Sequence, residues 1–225
     1  MLITKEYIEN WLKLHWDLLV QLHIAKHNAL RLKENRFPNE EIVKKHGFFS
    51  MYFEQMKLIL AIQLSKFFSK SDQQKLSFRY LFNVIKNNDF SEEFKDYLKS
   101  HSIDSDNLFH NREEVIQCIL NLENKINRKK KIIKKLEDAR NKVYAHTDPL
   151  NQEKPFLIPI SDEYAEILKL CEETYNVLRV GFFDTTSYFD IQEQWNLNPI
   201  EAWEIDPILK SMSIEYTNRK NKRHF

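Results

Sequence analysis

The stretch NREEVIQCILNLENKINRKKKIIKKLEDARNKVYAH, residues 111–146, decides the fold. Its apolar residues Val115, Ile119, Leu122, Ile126, Ile133, Leu136 and Val143 keep a nearly unbroken three-and-four rhythm, which lays them along one face of an α-helix. The spacing predicts one long helix across the whole stretch. It stops at Asp148, because the ring of Pro149 disfavours helical geometry in the residue before it. An apolar seam of this length needs other helices to cover it.

Outward from this stretch the same logic predicts more helices. Thr4 is a fitting N-cap for a first helix to about Asn35, broken by Phe37 and Pro38. Asn39, with Glu40 and Glu41 behind it, opens a second, whose Phe49, Phe53, Met56, Leu60, Leu64 and Phe67 form one apolar stripe. A third is expected around Leu76 to Ile85, and a short one begins after Ser91. The segment from His101 to His110 reads as loop, as does the one holding Pro155 and Pro159. Ser161 and Asp162 start a helix through about Val180, with Gly181 placed to end it in the left-handed conformation. Trp195 and Trp203 lie among acids and prolines in what reads as short helices, and residues 218–225 read as frayed. The expected architecture is an all-α antiparallel bundle over residues 1–181 with a helical C-terminal appendage over residues 182–225.

Composition narrows the chemistry. Two glycines and six prolines in 225 residues leave no Gly-rich loop to cradle a phosphate. The net charge of +1 hides segregation, because residues 124–142 carry nine Lys or Arg against two acids, whereas 182–209 carry six acids and no base. That acidic stretch is a natural cover for the basic helix. Cys118 and Cys171 stand alone without a CxxC, which predicts reduced, buried thiols. Lys5, Glu6 and Glu9 interrupt any leader-like opening, and no apolar run is long enough to span a bilayer, so a cytoplasmic protein is expected. His23 and His27 are one turn apart, but no third ligand is evident and no metal site is assigned.

The chemistry-bearing residues close the long helix. Arg140 and His146 are six positions apart, about 120° around and roughly 9 Å along a helix, with Val143 between them. The pairing is weak by itself, since Arg219 and His224 match it too, but only the first pair sits on an apolar stripe that fixes its geometry. Arg140 follows Leu136 by four, in the register that faces other helices, where a guanidinium needs an anion. His146 is in the last turn, where the dipole favours the imidazolium. RNA carries its own nucleophile in the 2′-hydroxyl, so its cleavage needs proton transfers and charge stabilisation at phosphorus, with no obligatory metal or cofactor. His146 would move protons, Arg140 would hold phosphorane oxygens and Asn141 would orient them. Lys129, Lys130, Lys131 and Lys142 are the expected RNA-binding residues. Two such helices in a symmetric dimer would place two of each group around one cleft.

The run Arg140-Asn141-Lys142 through Ala145-His146-Thr147-Asp148 resembles the signature of the HEPN superfamily, specifically its abortive-infection branch. Residues 59–68 and 75–85 also resemble that branch's second helix and its successor, and the likeness spans about residues 5–180. It implies a dimeric helical bundle, metal-independent endoribonuclease activity, a role in phage defence or as a toxin, and an antitoxin or defence-system partner. Arg140, Asn141 and His146 carry over as site residues. Some HEPN toxins carry a modifiable Tyr two residues beyond the His, where this chain has Asp148. A non-catalytic HEPN-like module that binds RNA, a nucleotide or a partner protein through the same helix is the alternative.

Overall fold

A computed structural model describes residues 1–71, 73–101, 108–146, 162–187 and 205–222. Among them the chain is all-α, with nine helices and a single isolated β-bridge between Ile3 and Phe90. The two tryptophans at 195 and 203, the loops at 102–107 and 147–160, the Asp148-Pro149 stop, the Ser161 cap and His224 lie outside the described residues.

Helix α1 (Lys5–Arg31) begins as expected, with the Thr4 hydroxyl accepting the Tyr7 N–H at 3.2 Å. It ends at Arg31, short of Asn35. The second expected helix is in fact two, α2 (Glu40–Lys44) and α3 (Gly47–Phe67). His46 separates them: its extended backbone breaks the hydrogen-bond ladder, and its imidazole Nδ1 accepts the Phe48 N–H at 3.3 Å. Ser77 caps α4 (Phe78–Asn87) through the Tyr80 N–H, and α5 is Glu92–His101.

The long helix of residues 111–146 is also divided, into α6 (Arg112–Arg128) and α7 (Lys130–His146), with Lys129 out of helical geometry between them. Residues 127–131 hold no apolar side chain, so no packing face opposes a bend there. The two halves share α8 as a neighbour but differ in the other, α6 lying against α4 and α7 against α3.

Helix α8 (Asp162–Phe183) overturns the expected role of Gly181. The helix runs through it, no glycine has a positive φ, and Asp184 takes the left-handed turn at φ 52° with its N–H on the Val180 carbonyl at 2.9 Å. Gly181 is needed for space, because the Phe109 ring occupies the volume a Cβ would fill. The Phe109 N–H donates to the Gly181 carbonyl at 2.7 Å. The C-terminal end is likewise more ordered than the sequence suggests: α9 (Asp206–Lys222) continues where fraying was expected.

The core gathers around α1. Trp11 stacks on His15 at 3.3 Å, His15 meets Phe67 and Phe78, and Phe78 meets Phe82. Burial pushes the His15 imidazole down to about 4, against the Trp11 and Leu76 carbonyls beside its two ring nitrogens, which favour the protonated form. Cys171 is buried and Cys118 half-buried, and burial pushes both free thiols up. His23 spends its Nε2 on Glu172 at 2.8 Å. Among the described residues no helix is long and apolar enough to cross a membrane.

A second, smaller cluster (Val43, Phe49, Ile205 and Leu209) docks α9 on α2. An ionic staple locks it. The buried Arg31 guanidinium donates to both Glu40 oxygens at 2.7 and 3.0 Å and, through Nε, to Asp206. Asn28 accepts the Ile205 N–H at 2.9 Å. Asp206, the last acid of the acidic stretch, thus answers Arg31 and not the basic helix. Burial alone would lift the Glu40 carboxyl, but hydrogen bonds from Arg31, from the Arg36 and Phe37 N–H groups and from Lys44 hold it at about 2.

Two outcomes follow from this packing. Gly181→Ala forces the Phe109 ring aside and should destabilise by about 1–3 kcal/mol in urea unfolding, as overpacking does. Because Glu40 sits below its ordinary 4.5 when folded, its contribution is complete above that pH and is lost as pH falls from 4.5 through about 2. Urea midpoints measured across this window should fall for the wild type and fall less for Glu40→Gln, which starts lower at neutral pH.

Candidate functional site

The packing of α7 places the site. The helix lies along α3, and from Lys130 to Asn141 it lines a groove shared with Phe67 and Phe68 at the end of α3. Ile133, Leu136 and Ala139 are the buried face of α7 and hold it on its neighbours.

Arg140 is half-buried beside that face, one position past Ala139. Its Nε and Nη2 donate to the Asn141 Oδ1 at 3.2 and 3.0 Å, and among the described residues no carboxylate pairs with it. The structure thus brings two of the three expected catalytic residues together, with the remaining guanidinium donors uncommitted to any described acid. An anion of planar or tetrahedral geometry is the natural partner for such a fork. His146 is the last residue of the same helix, in the expected register. The side chains of His146 and Lys142 lie outside the described residues.

The four expected RNA-binding lysines divide. Lys129 turns to α8 and pairs with Glu166, and its neighbour in charge, Lys135, pairs with Glu163 at 2.6 Å. Lys130 and Lys131 line the groove. The groove encloses about 910 Å³ between α7, α4 and the ends of α3 and α6. Its rim adds Lys134, Lys70, Arg79 and Lys86, and Asn141 stands at its far end. Lys70 and Arg79 escape a reading of residues 124–142 because the fold alone brings α4 and the turn after α3 to this wall. Lys134 was legible within the lysine run.

An all-α bundle that ends a core helix with Arg-Asn and, six residues after the Arg, a His has the arrangement of the HEPN class. Residues 5–194 match the family described as AbiU2, a HEPN family, and the chain belongs to this abortive-infection-associated family of the HEPN superfamily. The match extends past Val180, where the resemblance in sequence ended, and leaves α9 outside. No curated protein and no solved structure matches the chain.

Proposed function

We propose that the protein is a metal-independent endoribonuclease of phage defence, or a toxin, working in the cytoplasm as a homodimer. The observation that carries this reading is Arg140 on the closing turns of α7, its guanidinium unmatched by any described carboxylate and oriented by Asn141, in a chain of a HEPN family. In the reaction the RNA 2′-oxygen attacks the adjacent phosphorus as its proton passes to one His146. The P–O5′ bond breaks, and the His146 of the second protomer protonates the leaving oxygen. The products are a 2′,3′-cyclic phosphate and a 5′-hydroxyl. Arg140 stabilises the non-bridging oxygens, which carry the added charge in the transition state. No redox step and no cofactor enters. An antitoxin or defence-system partner would act by covering this end of α7.

A binding module without turnover is the second reading, and the lysine-lined groove favours it equally. The two separate in one experiment. Purified protein is incubated with mixed cellular RNA in excess EDTA beside Arg140→Ala and His146→Ala. Cleavage predicts new fragments ending in 2′,3′-cyclic phosphate, with each variant slower by about 10²- to 10⁴-fold. Intact RNA in all three preparations, with binding retained, would favour the module.

A further inference from the structure

We infer that the groove between α4 and α7 is the track of a single RNA strand, gripped at its phosphates by Lys70, Arg79, Lys130, Lys131 and Lys134 and led toward the Asn141–Arg140 pair. The nature of the occupant rests on the ribonuclease reading; the site itself rests on how cations are distributed. At the start of α7 and along it the structure satisfies Lys129, just before the helix, and Lys135 with carboxylates of α8. Lys86 across the groove is matched by Glu123 at 2.6 Å. The five named cations have no carboxylate partner among the described residues, although they come from three separate elements and converge on one concavity. Like charges brought together this way repel unless an anion joins them. Two further acids, Glu137 and Asp138, line the groove toward Asn141, so the anchoring charge is concentrated at the Lys130 end.

The shape selects the form of RNA. The groove follows α7 from Lys130 to Asn141, eleven residues or about 16 Å of helix, the scale of a few nucleotides. Duplex-reading domains need about 16 base pairs to meet successive grooves, far beyond this reach. The floor residues Phe67, Phe78 and Phe82 are buried against one another, so they shape the channel without offering a free ring for stacking. Recognition is therefore of backbone charge, tolerant of base sequence.

The test uses full-length His146→Ala protein, which removes turnover, and a fluorescein-labelled unstructured oligoribonucleotide read by anisotropy across a salt series. Five phosphate contacts predict a slope of log K on log salt of about −3.5, and Lys130→Ala/Lys131→Ala/Lys134→Ala should bring it to about −1.4 with affinity weaker by about tenfold or more. A control triple, Lys13→Ala/Lys45→Ala/Lys95→Ala, removes equal charge outside the groove and should stay within about twofold. Circular dichroism melts establish that both triples fold. Equal losses in the two triples, no loss in the groove triple, no RNA binding by the parent, or equal binding of a hairpin duplex would each overturn the inference. Wild-type protein that binds through the groove but never cleaves would sink the ribonuclease reading and leave the track standing.

Discussion

Helix α3 has to bury two faces at once, and the rest of the structure is arranged around that requirement. It lies against α1 on one side and α7 on another, with α2 and α8 also in contact. From Met56 to Phe68 no residue is fully exposed. A helix in that position is covered nearly all round, as this half of α3 is even at Lys57, Gln63, Ser65 and Lys66, whereas its first half keeps Ser50, Met51 and Glu54 in solvent. The one buried charge in its middle, Lys57, is matched by Glu54 at 2.6 Å. Because α7 packs along α3, α3 also supports the helix that carries Arg140 and His146.

The Arg31 staple works differently. A fully buried guanidinium and carboxylate recover in hydrogen bonds much of what they lose in hydration, so the pair adds little net stability and a great deal of geometric definition. Arg31 joins the end of α1 to Glu40 of α2 and Asp206 of α9, elements separated widely in sequence. Losing any one partner strands the others in a dry site. That makes α9 a fixed part of this bundle although it lies beyond the AbiU2 match.

The helices were legible because burial leaves a periodic trace in sequence; their boundaries were less so. Val115, Ile119 and Leu122 announced α6, and Leu60, Leu64 and Phe67 announced α3. The breaks at Lys129 and His46 leave little trace in sequence because a kink changes which neighbour a helix meets while hardly disturbing the spacing of its apolar residues. Gly181 looks like a terminator in sequence because a glycine's local freedom is visible there, and the Phe109 ring that requires its hydrogen side chain is not. The docking of α9 depended on Arg31, Asn28 and Ile205 meeting across the chain, which no local pattern encodes. For the site, Arg140 and Asn141 could be picked from one short run, whereas Lys70 and Arg79 could not.

The angular arrangement of α7 explains how one helix serves three purposes. Counting about 100° per residue, Lys130, Lys131, Lys134, Glu137, Asp138 and Asn141 fall within an arc of about 120°, and these are the α7 polar residues that line the groove. Ile133, Leu136 and Ala139 occupy another arc, buried against the bundle. Arg140 falls within that buried arc, between Leu136 and Ile133 and roughly 100° from Asn141, so its guanidinium does not face the groove by register alone. The contact between them resolves this: Asn141, which lines the groove, accepts from Arg140 with the carbonyl of its amide, and the NH₂ is the donor the amide has left. Asn141 is thus the residue through which the groove and the Arg140 side of the helix communicate. An alanine there would separate the two faces, whereas an aspartate would hold Arg140 more tightly and present an acid to the groove where the amide presents a donor.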